Sequence, residues 1–158
     1  MRIAIGADHA GFQLKQLLIV ELTGLGDETT DFGTHSEESC DYPDIAQPLA
    51  QRVAGGEFDF GVLICSTGVG PSIVANKVHG IRAALCHDPF SARRAREHTD
   101  ANVLCLGAWA LGRGAAVEVL KAFRDGTFEG GRHSRRLAKV AAIDDAVRGP
   151  SPHARLEV

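Results

Sequence analysis

The hexapeptide Phe60–Cys65 (FGVLIC) constrains the fold more than any other stretch of the chain. It shows no polar/apolar alternation and breaks directly into Ser66-Thr67-Gly68-Val69-Gly70, after which Pro71–Val78 has the spacing of a helix. A short, continuous apolar run fits a strand buried on both faces, as in a parallel sheet covered by helices on each side. The rest of the chain repeats the pattern. Arg2–Gly6, Glu28–Phe32, Ile81–Cys86 and Asn102–Leu106 read as further strands. Phe12–Leu22 carries Phe12, Leu14, Leu17, Leu18 and Leu22 near helical spacing, and Tyr42–Val53 carries Ile45, Ala46, Leu49, Ala50 and Val53. Asp88-Pro89 reads as an N-cap followed by proline at the first helical position, opening a helix that runs to about His98. Gly112–Arg124 and Ser134–Val147 are the last two helices. The order predicts an α/β fold with five parallel strands.

In such sheets ligands bind beyond the carboxyl ends of the strands. Asp8-His9, Cys65-Ser66-Thr67, His87-Asp88 and the segment from Gly107 fall there. The 158 residues read as one domain over 1–148, with 149–158 (GPSPHARLEV) expected to be a loose tail. A net charge of −3 gives no electrostatic reason to expect nucleic acid. No run approaches the roughly 20 apolar residues of a membrane span, and the first residues lack the apolar stretch of a signal peptide. Cys40, Cys65, Cys86 and Cys105 form no CxxC pair, so no zinc or redox motif is indicated. The expectation is a cytoplasmic protein without a metal or a cofactor.

The strongest local signal is Cys65-Ser66-Thr67-Gly68-Val69-Gly70-Pro71-Ser72. Its glycines allow backbone N–H groups to turn toward one point, a nest for a phosphate or an enolate oxygen, in a field that favours a thiolate at Cys65. A glycine turn after a strand also occurs without any ligand. A phosphate-binding loop of the Walker type would end in Gly-Lys-Ser/Thr, and a cysteine phosphatase would carry arginine where Pro71 stands. Asp8 and His9 offer a carboxylate and an imidazole for proton transfer, or Asp8 caps the helix that follows and leaves His9 solvated. His98 lies at a helix end, where a surface histidine is common. Arg132 and Arg136 are four apart and share a face if the helix has begun, as a pair for a phosphate or as a solvated basic face.

Taken together, IGADHAGFQLK, DFGTHSEESCDYPDIA, ICSTGVGPSIVANKVHGIRAALCHDPFSARRAREH, DANVLCLGA and FEGGRHSRRL resemble the ribose-5-phosphate isomerase B family, which includes galactose-6-phosphate isomerase subunits. The resemblance covers about residues 1–145. It implies a Rossmann-like three-layer sandwich, a C-terminal helix packed on a partner subunit, and a homodimer, sometimes paired into tetramers, with active sites between subunits. It implies an aldose–ketose isomerase acting on ribose 5-phosphate through an enediolate, with Cys65 as base, Thr67 beside it and His98 as the ring-opening acid. Substrate ligands carried over are Asp8, His9, Ser66, Gly68, Val69, Gly70, Ser72, Thr99, Arg132 and Arg136. Three positions depart from the family pattern: Ser66 stands for glycine, Thr99 for asparagine and Trp109 for arginine. These departures leave open another aldose phosphate, such as allose 6-phosphate, as substrate. A non-catalytic phosphosugar-binding module is the reading from a different class, and the intact set of Cys65, Thr67 and His98 argues against it.

Overall fold

The computed structural model describes residues 1–149; of the tail expected over 149–158, all but Gly149 lies outside the described residues. Five strands, β1 (Arg2–Ala7), β2 (Glu28–Asp31), β3 (Phe60–Cys65), β4 (Ala83–Leu85) and β5 (Val103–Gly107), form one sheet in the order β2-β1-β3-β5-β4. Every pairing is parallel. The helices are α1 (Phe12–Gly24), α2 (Pro43–Ala54), α3 (Val69–Ala75), α4 (Pro89–Thr99), α5 (Arg113–Asp125) and α6 (Arg132–Arg148), with a short 3-10 turn at His9–Gly11.

Alternation along the strands divides the core in two. Ile3, Ile5, Val62, Ile64, Leu104 and Leu106 pack with α1, α4 and α5. Ala4, Leu63, Val103 and Cys105 pack with α2 and α3. Both faces are therefore covered, which is why the strands read as continuous apolar runs. The expected α/β three-layer fold is the observed one. Among the described residues, no helix is long and apolar enough to cross a membrane.

Element boundaries move for identifiable reasons. The turn after β3 passes into α3 at Val69 instead of Pro71, because Gly68 takes the left-handed conformation (φ 79°). Pro71 then falls in the first turn, where its missing N–H costs nothing. The strand expected over Ile81–Cys86 shortens to Ala83–Leu85, since the Arg82 N–H donates to Asn102 Oδ1 at 2.8 Å. α6 starts at Arg132, after two glycines with positive φ, so Arg132 and Arg136 are both helical and share a face. Asp88 caps α4 as expected, its carboxylate accepting the Ser91 N–H at 2.8 Å, with Pro89 in the first turn.

One charge cluster ties the ends of the domain together. The Asp27 side chain is 1% exposed and accepts hydrogen bonds from Arg124 Nε (2.5 Å), Arg124 Nη2 (3.0 Å) and the Met1 amine (2.9 Å). The Arg124 hydrogen bond holds the Asp27 carboxyl below its ordinary value, with the amine adding to it against the cost of burial. A lowered folded-state value means that this stability is present above about pH 4 and is lost as the pH falls through the lowered value. Asp27→Asn is expected to cost about 1.5–3 kcal/mol at neutral pH, because it removes the charge-assisted hydrogen bonds to Arg124 and the Met1 amine while Arg124 keeps Asp125 Oδ1 at 2.9 Å. Urea melts at neutral pH and near pH 3 check this, and the difference between parent and variant should shrink at the acid value.

Candidate active site

Cys65 ends β3, and its side chain is 4% exposed. The turn beyond it folds back so that the Gly68 N–H donates to Cys65 Sγ at 3.0 Å. A thiolate accepts such a bond more strongly than a thiol does. Gly68 is required there: besides its positive φ, an added Cβ would come within 2.5 Å of Leu85 Cδ1 and 2.9 Å of the Leu106 carbonyl carbon. The neighbouring strand fixes the turn from its other side, Ala108 N–H donating to Cys65 O (2.8 Å) and Trp109 N–H to Ser66 O (3.0 Å).

The donors of the turn are fewer than its five residues from Gly68 to Ser72 suggest. Gly68 serves the sulfur, Pro71 has no N–H, and Ser72 N–H donates to Gly68 O at 3.2 Å. Val69, with a 3.4 Å contact to Thr67 Oγ1, and Gly70 are left to face a ligand oxygen. Thr67 is exposed, and Ser72 Oγ donates to Val69 O at 2.8 Å. The other strand-region thiols are unsuited to proton transfer at neutral pH: burial pushes Cys86 up to about 11 and raises Cys105 further.

Asp8 and His9 lie at the end of β1, beside this turn, since Ala7 pairs with Ile64 and Asp8 N–H donates to Ile64 O at 3.1 Å. The Asp8 carboxylate caps the 3-10 turn, accepting Ala10 N–H (3.0 Å) and Gly11 N–H (3.1 Å). His9 Nδ1 accepts the Cys40 N–H at 3.3 Å, which leaves Nε2 as the protonated nitrogen of the neutral ring. His9, Gln13, Glu37, Trp109 and Arg113 line a cleft of about 470 Å³, with Trp109 78% exposed at its wall.

Two residues here escaped the sequence analysis. Tyr42, at the start of α2, lays its ring on Gly70; an added Cβ on Gly70 would lie 2.7 Å from Tyr42 Cζ. Lys15 is fully buried and donates to both Asp31 oxygens (2.5 and 2.6 Å) and to Thr34 O (2.7 Å). It pins the start of the loop that delivers Cys40 and Tyr42. Its spacing gave a signal, for Lys15, Leu18 and Leu22 fall at i, i+3 and i+7 on the apolar stripe of α1.

The remaining candidates gather elsewhere. His98, near the end of α4, stacks on His133 with ring centroids 4.1 Å apart. Arg94 Nη1 lies 3.3 Å from His98 Nε2, and Glu129 Oε2 lies 3.7 Å from it. Arg132 Nε donates to His133 Nε2 at 3.2 Å. Burial, then the neighbouring His98 and Arg132, lowers the His133 value, so that ring stays neutral. Thr99 Oγ1 donates to Ala95 O at 2.6 Å, and Arg132 and Arg136 are exposed. Among the described residues, His98, Glu129 and His133 are the set whose ligand atoms come together, within 4.8 Å. Arg94 and Arg132 already engage both ring nitrogens, and their charge opposes a cation there.

These two groups do not meet within one chain. Cys65 pairs with Gly107 at the carboxyl ends of the strands, whereas Thr99 precedes β5, whose first residue Val103 pairs with Gly61. The four steps from Gly61 to Cys65 alone span about 13 Å at roughly 3.3 Å each. One edge of the sheet therefore holds Asp8, His9, Ser66, Thr67, Gly68, Val69, Gly70 and Ser72 with Cys65, and the other holds His98, Thr99, Arg132 and Arg136.

A family model described as Ribose/Galactose Isomerase matches residues 3–140. Ribose-5-phosphate isomerase B of Escherichia coli is 47% identical over 143 residues, covering 90% of this chain and 96% of that protein. A D-erythrulose-4-phosphate isomerase of Pectobacterium atrosepticum is 43% identical over 141 residues, covering 89% of this chain and 93% of that protein. Among solved structures, ribose-5-phosphate isomerase B of Clostridium thermocellum superposes with a TM-score of 0.91 at 46% identity, over 93% of this chain and 99% of that one. The enzyme of Mycoplasma genitalium with bound ribulose 5-phosphate gives 0.87 at 37% identity, over 91% and 96%.

The Tyr42–Gly70 contact is testable without any assay. Gly70→Ala is expected to cost about 1–3 kcal/mol by overpacking. In a Tyr42→Ala background the same change should cost much less, which a double-mutant cycle of urea melts measures.

Proposed function

We propose that this chain, which belongs to the ribose/galactose isomerase family and is a sugar-phosphate isomerase, interconverts ribose 5-phosphate and ribulose 5-phosphate with Cys65 as the base. The observation that carries the reading is the Gly68 N–H bond to Cys65 Sγ at the carboxyl end of β3. It supplies a sulfur held at a strand end, in a turn that still has Val69 and Gly70 N–H groups to offer.

In this reading the thiolate takes the proton from C2 of the open-chain aldose. The C–H electron pair becomes the C1–C2 double bond, and charge passes to O1, where the Val69 and Gly70 N–H groups receive it. The thiol returns the proton to C1, and the O2 proton passes, directly or by exchange through solvent, to O1, leaving the ketose. The chemistry needs no change of oxidation state in the protein. Thr67 lies beside the base, while Asp8, His9, Ser66, Gly68 and Ser72 frame the sugar.

His98, Thr99, Arg132 and Arg136 lie at the far edge of the same sheet, so they complete the site of a second copy. There His98 opens the furanose ring and the two arginines fork onto the phosphate. The account therefore requires a dimer, and two features suit one. Val140, Ile143 and Val147 are exposed on α6, and an apolar groove of about 350 Å³ lies between α6 and the edge strand β4, lined by Ala83, Leu137, Val140 and Ile143. A second reading, isomerisation of another aldose phosphate, rests on Trp109 in the cleft beside His9 and on the relative named for erythrulose 4-phosphate.

Cys65→Ala should lower kcat by on the order of 10³-fold while leaving substrate affinity near that of the parent. A coupled assay over ribose 5-phosphate, allose 6-phosphate and erythrulose 4-phosphate, with calorimetric binding to the variant, checks both points. Retention of activity within tenfold would overturn the base assignment. Faster turnover of a sugar other than ribose 5-phosphate would favour the second reading.

A further inference from the structure

His98 Nε2 has two competitors for its single site. Arg94 Nη1 lies 3.3 Å away and is itself anchored on Glu97 Oε2 at 2.8 Å, with Glu129 Oε1 at 3.5 Å. A guanidinium can donate but cannot accept, so with Arg94 in contact Nε2 offers a lone pair and the ring hydrogen resides on Nδ1. Glu129 Oε2 lies 3.7 Å from the same nitrogen, and a carboxylate can engage it only when it carries a proton.

The position of Glu129 is set by the helix that carries His98. Its backbone N–H donates to Glu97 O at 3.0 Å, locking the segment before α6 onto the end of α4. Glu129 Oε2 also lies 3.5 Å from Nε2 of the stacked His133, but that ring is 3% exposed and its Nε2 already accepts from Arg132, so the proton that Glu129 can engage is the one on His98. The charged or titratable groups facing His98 and its stacked partner are Arg94 and Glu97 from α4, Glu129 from the preceding segment, and Arg132, His133 and Arg136 from α6.

We infer that Glu129 and Arg94 act in opposite senses on the proton at His98 Nε2, Glu129 holding the ring as imidazolium and Arg94 as the neutral Nδ1–H form, which makes both of them positioning residues for ring opening. The link to ring opening rests on the reading of His98 as the acid; the competition for Nε2 does not.

The test is an NMR titration of the histidine rings between about pH 5 and pH 9. It uses the full chain as parent, Glu129→Gln and Arg94→Gln, with His98→Gln to assign the signal. Glu129→Gln should move the His98 midpoint down, and Arg94→Gln should move it up. The limb of the kcat/KM profile that His98→Gln removes should follow each shift. A merely structural role for either residue would not produce displacements of opposite sign. Movement of both midpoints in one direction, or of neither, overturns the inference. If His98→Gln keeps nearly full activity, the acid assignment fails, and the ring midpoints still decide whether the two residues compete for Nε2.

Discussion

The parallel register of β3 against β5 is the constraint on which the rest depends. It places Cys65 level with Gly107 and Gly61 level with Val103. Everything that follows a strand is thereby collected at one edge, and everything that ends a helix at the other. The turn after Cys65, Asp8 and His9 belong to the first edge, and the His98 corner belongs to the second. A single copy of this fold separates Cys65, the proposed base, from His98, the proposed ring-opening acid, by the height of the sheet. The proposed chemistry is possible only if two copies pair, which turns a topological fact into a requirement on assembly.

α6 is the element that this requirement explains best. It starts with Arg132 and Arg136 beside His98, and it ends where Arg148 donates to Lys77 O (2.8 Å) and Asn76 O (3.0 Å), with Asp145 3.1 Å from His79. The helix is thus pinned at both ends against the domain while much of its apolar surface stays uncovered. A helix held this way presents a fixed face, which is what the proposed pairing needs in order to hold Arg132 and Arg136 over a neighbour's cleft.

Much of this was legible in the sequence because each strand is short, apolar and closed by a turn signal. The five strands and the Asp88 cap followed from local pattern. Strand order was not legible: nothing in the sequence shows that β5 inserts between β3 and β4, since that depends on which helices fill which face. Tyr42 escaped because its role is a contact with Gly70, far away in sequence, and Glu129 because it reads as one more exposed acid before a glycine pair. Lys15 escaped for the opposite reason. A lysine on a helix reads as solvated, and the Asp31 carboxylate that lets this one be buried lies on another element. The Cys65 turn itself was legible in outline, but the division of its N–H groups between the sulfur, the turn and a ligand required coordinates.

The central claim, that each site joins the Cys65 edge of one copy to the His98 edge of another, has a direct measurement. Cys65→Ala and His98→Gln proteins, each nearly inactive alone, are mixed, exchanged through mild denaturation and assayed on ribose 5-phosphate. Random pairing makes half of the dimers mixed, and each mixed dimer holds one intact site and one that lacks both groups. The account predicts recovery of about a quarter of parental activity in an equimolar mixture. A mixture that exchanges subunits and yet stays as inactive as its components would contradict it.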